Sequence, residues 1–468
     1  MADERIEHDA LGEVRVPRTA YWGAETQRAA ENFPVSGRGM PRQFIRALAL
    51  LKRCAAETNV QLGLLDAARG KALVQAAQEI VDGGLADQFP VDVFQTGSGT
   101  STNMNLNEVL ANRANEIAGH GLGARWVDAH DHTNIGQSSN DVIPSAVHIS
   151  SAQALHGALI PALRELQWSL ESKARKFDDI VKSGRTHLQD AAPIRLGQEI
   201  SGYARQVALA AERAERARDE LLELALGGTA VGTGLNAHPE FAPRTIARIA
   251  EATGLGFREA ENHFEAQGSM DKAVAASGAL RAVAVTLYKI ANDVRWLGSG
   301  PHNGIGELRL PALQPGSSIM PGKVNPVMSE SLMMVCCQVI GNDAAVGLGG
   351  LSGNFELNTF LPLLARNLLE SIELLGNAAR NFETRCIRGL QADRERCRTA
   401  IERNTMLVTA LAPRIGHELA AEIALEAVRM GRTVREVARA RDVLTDAELD
   451  ELLDARRMTG PESSEPRA

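Results

Sequence analysis

Leu280-Arg281-Ala282-Val283-Ala284-Val285-Thr286-Leu287-Tyr288-Lys289-Ile290-Ala291-Asn292-Asp293-Val294-Arg295-Trp296-Leu297 is the stretch on which the fold turns. Its apolar residues Leu280, Val283, Leu287, Ile290, Val294 and Leu297 advance in steps of 3, 4, 3, 4 and 3. That spacing puts them on one narrow stripe of a long helix that packs against others. Leu155, Leu159, Leu163, Leu166 and Leu170 trace a second stripe, and Leu364, Leu368, Ile372 and Leu375 a third. From Arg205 onward, RQVALAAERAERARDEL interleaves acids and bases around an alanine-rich surface. Such a helix can lie against neighbours, including helices of another subunit, through its small side chains. Several long helices with narrow stripes predict a helical bundle.

Composition agrees. Aromatics are only 4% of the chain while Ala and Leu abound, a bias toward helix over sheet. With 44% hydrophobic and 23% charged residues the chain is far from disordered or low-complexity classes. At roughly 100 to 200 residues per domain, its 468 residues suggest two to four domains with ample core. Lys and Arg number 50 against 58 Asp and Glu, a net charge of −8 that lacks the basic footprint of a nucleic-acid binder. No run approaches the roughly 18 apolar residues of a membrane span, and MADERIEHDALGEV resembles neither a secretory signal nor a transit peptide. Cys54, Cys336, Cys337, Cys386 and Cys397 lack CxxC spacing, so neither a disulfide framework nor a zinc site is indicated. A reduced, cytoplasmic protein is expected, with no nucleic-acid or membrane partner.

Three contiguous regions are expected. Residues 1–137 read as mixed but mostly helical, with a strand or hairpin at Glu13-Val14-Arg15-Val16. Residues 138–395 form the long-helix bundle. Residues 396–468 hold shorter helices, an acidic stretch from Asp446 to Asp454 and the polar tail SSEPRA.

Chemistry gathers in four segments rich in hydroxyls, amides and glycines: Thr96 to Asn103 (TGSGTSTN), Gln137 to Asp141 (QSSND), Gly184 to Asp190 (GRTHLQD) and Gly316 to Pro326 (GSSIMPGKVNP). Glycines let backbone N–H groups turn toward a ligand, hydroxyls and amides donate hydrogen bonds, and Lys adds positive charge. A small, oxygen-rich anion suits such a lining. TGSGTSTN read alone is equally an ordinary loop, and SSN equally the cap of a helix from Asp141 through His148. In GSSIMPGKVNP two glycines and two prolines bracket two serines, a Lys and an Asn, with no evident packing purpose. A serine there could act as a base only if N–H groups and positive charge stabilised its alkoxide. His187 lies in turn-rich text outside any apolar stripe and titrates near neutrality. Glu330 becomes relevant to it only by reaching the imidazole. Asp128, His130, Asp131 and His132 are metal-ligand types crowded into a loop without a further cluster, and are read as solvated. Cys336 and Cys337 are read as core thiols.

GSSIMPGKVNP closely resembles the signature of the fumarase/aspartase superfamily. The text around it resembles the class II fumarate hydratase branch: TGSGTSTNMNLNEVLANRA, GQSSNDVIPSAVHIS, GRTHLQDAAPIRLGQEISGY, GPHNGIGELRLPALQPGSSIMPGKVNP and GNFELN. The likeness runs in order from near residue 12 to near residue 461. It implies a mainly α, three-domain fumarase/aspartase-like fold whose long central helices, from four subunits, form a 20-helix tetramer core. Each active site would be shared between three chains. It implies reversible trans-addition of water to fumarate, giving L-malate through an aci-carboxylate intermediate, a step of the tricarboxylic acid cycle, without metal or organic cofactor. Carried over position by position, Ser317 would be the base at C3 of malate, His187 the acid/base group at the hydroxyl end, and Glu330 its partner. Lys323 and Asn325 would bind and polarise a substrate carboxylate, with Ser98, Thr100, Ser138, Ser139, Asn140, Thr186 and Ser318 completing the cradle.

One departure stands out. Many relatives carry a His-Pro-Asn-Asp stretch at a peripheral anion site, whereas the aligned residues here are Asp128, Ala129, His130 and Asp131, with Arg125 just upstream. An extra acid at Asp128 disfavours an anion there. Two other activities fit parts of the same text. An aspartate ammonia-lyase shares the loop chemistry, although PGKVNP, GIGE and NHFEA resemble the hydratase versions. A non-catalytic structural protein could keep the scaffold, but would have no physical reason to hold all of Ser317, His187, Lys323, Asn325 and Glu330.

Overall fold

The computed structural model describes residues 4–460; residues 1–3 and 461–468, which include the SSEPRA tail, lie outside the described residues. Seventeen α-helices carry the described chain, and its strands form only two-stranded pairs. The mainly α class expected from composition is therefore the observed one. The helix Asp271–Leu297 holds the deciding stripe, and its six stripe residues are at most 5% exposed. Leu364, Leu368, Ile372 and Leu375 are fully buried in the helix Leu361–Phe382. Each such burial contributes roughly 1.5–3 kcal/mol, so the stripes are what hold the long helices in place.

The second stripe starts in an irregular turn. The helix Ser139–Ala154 continues through a π turn, Leu155–Leu159, into Ile160–Lys176, and Leu155, Leu159, Leu163, Leu166 and Leu170 are all buried. A π turn adds a residue to one turn and shifts the stripe's phase, which a search for 3-and-4 spacing does not detect. The helix expected from Asp141 through His148 is thus much longer. RQVALAAERAERARDEL, but for its last residue, falls in the helix Leu196–Glu220, whose Val207, Ala210, Ala211, Ala214 and Ala217 are buried.

The chain forms two compact units. One comprises the chain up to Pro161 with Ala211–Val285 and Val335–Asn377; the other comprises Ala162–Ala210, Thr286–Met334 and the chain from Ala378 onward. All five changes of unit fall inside the long helices. In the first unit, the strand expected at residues 13–16 is Gly12–Pro17, paired antiparallel with Glu4–Asp9, and Val14 and Val16 turn inward against Ala20, Ala24 and Trp22. In the second, Ile401, Leu411, Ile423, Val437 and Leu449 close a separate small core among the short C-terminal helices. Two of those helices start with capping boxes, Thr433 with Glu436 and Thr445 with Glu448.

Two expectations need correction. Cys336 is buried but Cys337 is exposed, because adjacent helical residues point about 100° apart and this pair straddles the edge of the helix's buried face. The helices Asp271–Leu297 and Val327–Gly350 are long and apolar enough to cross a membrane by length and composition, although no unbroken apolar run marks them in the sequence. Core helices of bundles meet the same criterion, and the first is the one whose stripe is buried.

Candidate active site

In the first unit, the TGSGTSTN and SSN segments each open a helix. Gly99 adopts φ +73° as N-cap of Thr100–Ile117, a conformation that costs glycine nothing. A side chain at Gly97 would sit 1.5 Å from the Thr359 carbonyl, so only glycine lets these backbones meet. Because glycine caps the helix, Ser98 and Thr100 are not used as caps, while Thr102 Oγ1 donates to Gln95 Oε1. Ser98 Oγ lies 2.8 Å from Thr100 Oγ1, which lies 2.7 Å from Ser139 Oγ. A three-hydroxyl chain thus joins the starts of two long helices. Helix N-termini carry unpaired N–H groups and partial positive charge, so their convergence favours an anion.

Ser138 does cap its helix. Its Oγ accepts from Asn140 N at 3.2 Å, and Asp141 Oδ1 accepts from Ser138 N at 2.9 Å, forming a capping box. Capping uses Ser138 and Asp141 but leaves Ser139 in the hydroxyl chain and directs Asn140 Nδ2 to the Ala230 carbonyl at 2.8 Å. Both readings of SSN therefore hold for different residues of the same turn.

In the second unit, GRTHLQD is the tip of a hairpin between Val181–Thr186 and Gln189–Arg195. His187 at φ +57° and Leu188 at φ +61° form its turn. Positive φ at both positions is the type I′ two-residue turn, which normally uses Asn or Gly, so the strain here is about 1 kcal/mol or more per residue. Thr186 and His187 stand exposed. Below the tip the hairpin is firmly anchored. Arg185 donates to Glu307 at 2.8 and 3.1 Å, and the fully buried Lys182 lies 3.0 Å from both Glu307 and Glu199. Asn404 Nδ2 donates to Ser183 Oγ and to the Ala191 carbonyl.

GSSIMPGKVNP is an exposed loop with a closed neck. Gly316 N donates to the Lys323 carbonyl at 2.7 Å and Asn325 Nδ2 donates to the Gly316 carbonyl at 2.6 Å. Inside it, Ser317 Oγ accepts from the backbone N–H of Ile319 at 3.2 Å and of Met320 at 3.0 Å. Two donors aimed at the oxygen are what an alkoxide needs, and Lys323 follows on the same loop. Ser318, Lys323 and Glu330 are exposed, the last in the first turn of Val327–Gly350. Within the chain, and among the described residues, no hydrogen bond or ion pair joins His187 to Glu330.

At the peripheral stretch, Arg125 donates to the His8 carbonyl and His130 Nε2 lies 2.7 Å from Glu25 Oε1. Burial raises the Asp128 carboxyl, but the N–H groups of Asp131 and His130 outweigh it and hold the pKa below the usual value. The adjoining cavity, about 460 Å³, is also lined by Glu7, Asp9, Glu25 and Glu108. Glu7 and Asp9 are each paired with an arginine and burial raises the Glu108 pKa, so it is the ionised Asp128 beside Arg125, with Glu25 already held by His130, that disfavours an anion there. Among the described residues, no group of three His, Cys, Asp or Glu side chains is placed to hold a metal ion.

Known proteins match this arrangement end to end. The family model described as Lyase covers residues 12–341, and that described as Fumarase C C-terminus covers residues 407–460. The class II fumarate hydratase of Neisseria meningitidis serogroup A is 52% identical, covering 98% of this chain and 99% of its own. That of Nitrosomonas europaea is 53% identical, covering 98% and 100%. A crystal structure of class II fumarase from Schistosoma mansoni superposes with a TM-score of 0.95 at 39% identity, over 98% of this chain and all of that one. The chain belongs to the class II fumarate hydratase family. For a member of this family, the sequence had overlooked three buried charged residues that support the candidate groups: Asp141, Lys52 and Glu307. Asp141 and Glu307 sit inside the quoted motifs QSSND and GIGE, a signal that was available, whereas Lys52 lies unmarked in the apolar text of Arg42–Gln61.

Proposed function

We propose that the chain catalyses the reversible hydration of fumarate to L-malate, with Ser317 as the base at C3 and His187 as the acid/base group at the hydroxyl end. The observation that carries this is the pair of backbone N–H groups directed at Ser317 Oγ. The C3 proton sits beside a carboxylate and is very weakly acidic, so the base must be strong. Two N–H donors and the Lys323 charge lower the cost of the serine alkoxide. In the dehydration direction Ser317 Oγ takes the proton, and the C–H electron pair moves into the neighbouring carboxylate to form the aci-carboxylate. That pair then forms the double bond as hydroxide leaves C2, protonated by way of His187 and paired with Glu330. Hydration reverses each step. Lys323 and Asn325 hold the carboxylate that carries the added charge. Ser98, Thr100, Ser138, Ser139, Asn140, Thr186 and Ser318 donate to the rest of the dianion.

A homotetramer with active sites shared between three chains is part of this proposal. Supporting it, Val327–Gly350 is apolar nearly all round, yet leaves Met334 and Leu348 about two-thirds exposed. His187, Lys323 and Glu330 are exposed as well. A cytoplasmic location is part of the same proposal, a reducing compartment in which cysteines such as Cys54, Cys386 and Cys397 stay as thiols. The names of the relatives support the hydratase over aspartate ammonia-lyase, and the intact set of candidate groups supports it over a non-catalytic protein. Asp128 speaks against a peripheral anion site at Arg125, His130 and Asp131. Purified protein given L-malate should produce the ultraviolet absorbance of fumarate, and given L-aspartate should not. His187→Asn should lose that signal while remaining tetrameric. Signal from aspartate alone would transfer the residues to an ammonia-lyase, and silence from both substrates would favour the structural protein.

A further inference from the structure

Asp141 has no place in the steps just described, yet it is completely buried behind the Ser138–Asn140 turn. Its two oxygens do different work. Oδ1 accepts from Ser138 N at 2.9 Å, while Oδ2 accepts from Gly227 N at 3.1 Å and Thr229 N at 3.0 Å. Asn140 Nδ2 reaches the Ala230 carbonyl of the same distant stretch, and Gln267 Nε2 holds the Thr229 carbonyl from the other side at 2.9 Å. The turn is also held at its start. Lys52, 2% exposed, donates to Asn134 Oδ1 at 2.8 Å, and Asn134 Nδ2 donates to the Gln137 carbonyl at 3.0 Å.

Helix capping does not require this arrangement. Among the described residues, two further capping boxes use Glu436 and Glu448, and both acids lie at the surface, where their N-cap partners hold them below the usual carboxylate pKa. Of these boxes only Ser138's has its acid buried and bonded across to another stretch, with the buried Lys52 tied to the same turn through Asn134. Burial pushes Asp141 up and Lys52 down to about 7, with each group's charge opposing the other's shift. Buried charges are poor stabilisers because desolvation offsets their attraction. Their worth here is geometric.

We propose that Asp141 is a positioning residue for the hydration reaction, its buried carboxylate locking the Ser138-Ser139-Asn140 turn onto residues 227–230 in the shape that binds the dicarboxylate, with Lys52 as its counter-charge. This rests on the assignment of that turn to substrate binding. The test uses the assembled full-length enzyme with L-malate. Asp141→Asn alone strands Lys52 in the core, so the informative variant is Lys52→Met with Asp141→Asn, which removes both charges. It should fold and assemble like the parent, raise KM about 10-fold or more and leave kcat within about 3-fold. Asp141→Glu, which keeps the charge but displaces the carboxylate by a methylene, should raise KM in the same direction and supplies a second test if the double variant does not fold. A folded variant of either kind with the parent's KM overturns the proposal. Ser139→Ala separates the two ideas. An unchanged KM there removes the substrate role of the turn and the proposal with it. A raised KM there, beside a normal KM in the doubly neutral enzyme, removes Asp141's role alone.

Discussion

The hydroxyls proposed to cradle the substrate and the groups proposed to react with it or hold its charge are built on opposite plans. Ser98, Thr100 and Ser139 bond to one another at 2.8 and 2.7 Å at the starts of two long helices. Among the described residues, the side chains of His187, Lys323 and Glu330 have no hydrogen bond or ion pair within the chain. Their order is stored lower down: in the Arg185–Glu307–Lys182 cluster beneath the His187 tip and in the two-bond neck beneath Ser317. A binding surface can be preorganised by its own contacts. Side chains that keep their hydrogen bonds for the substrate or for one another, as proposed for His187, Lys323 and Glu330, leave rigidity to the backbone that carries them, whereas Ser317 also accepts from two N–H groups of its own loop.

The largest effect should come from Ser317→Ala. A positioned base typically contributes 10²- to 10⁴-fold, and removal of one acting on so weak a carbon acid should reach the upper end, about 10⁴-fold in kcat or about 5.5 kcal/mol. Stability should hardly change, because the lost Oγ only accepts from two N–H groups of an exposed loop. Steady-state rates with L-malate and a thermal melt check both halves. Activity within tenfold of the parent would remove Ser317 as the base and erase the contrast between the two regions.

Next comes Glu307→Gln, which strikes the anchor of the His187 tip and leaves the Ser98–Thr100–Ser139 hydroxyl chain alone. Arg185 loses its two-bond partner, and the fully buried Lys182 keeps only Glu199. Breaking a buried pair from one side costs about 3 to 5 kcal/mol, and the remaining Glu199 contact places this variant near 3. Denaturant unfolding should show that loss, and kcat should fall as the His187 tip loosens, with a smaller rise in KM for L-malate through Thr186 on the same tip. A variant with normal kcat would show that the tip needs no anchor.

What could be read from the sequence follows the same division. The stripes at Leu280–Leu297 and Leu364–Leu375 were legible because burial imposes helical spacing on apolar residues over many turns. The four chemical segments were legible because they hold glycines and hydroxyls where packing has no use for them. Residues that act through distant partners were not. Lys182 and Glu307 are far apart in sequence and meet only through the hairpin's packing, and the Lys52–Asn134–Gln137 path runs between separate helical and loop segments. The π turn at Leu155–Leu159 was hidden for another reason: one inserted residue changes phase without changing composition. Even the Ser317 turn was legible only as a requirement for N–H donors, since no side chain announces which backbone groups supply them.

The smallest effect tests whether the cradle's helix depends on a neutral core. His148, on Ser139–Ala154, donates from Nδ1 to the Glu223 carbonyl at 2.7 Å. Burial, helped by the Lys272 charge, lowers its pKa from 6.5 to about 4 against the pull of Glu223. Between those values the unfolded chain binds a proton that the folded chain does not, so stability rises with pH across that window. The contribution is fully present above about pH 6.5 and is lost as pH falls toward 4. One such group should cost about 1.4 kcal/mol by pH 5.5. His148→Asn places an amide donor where Nδ1 stood and has no proton to gain, so unfolding free energies measured at pH 7 and 5.5 should differ less in the variant by about that amount. An equal drop in both proteins would assign the acid sensitivity to other groups. It would also leave the hydroxyl cradle no more dependent on a buried neutral residue than the exposed groups around Ser317.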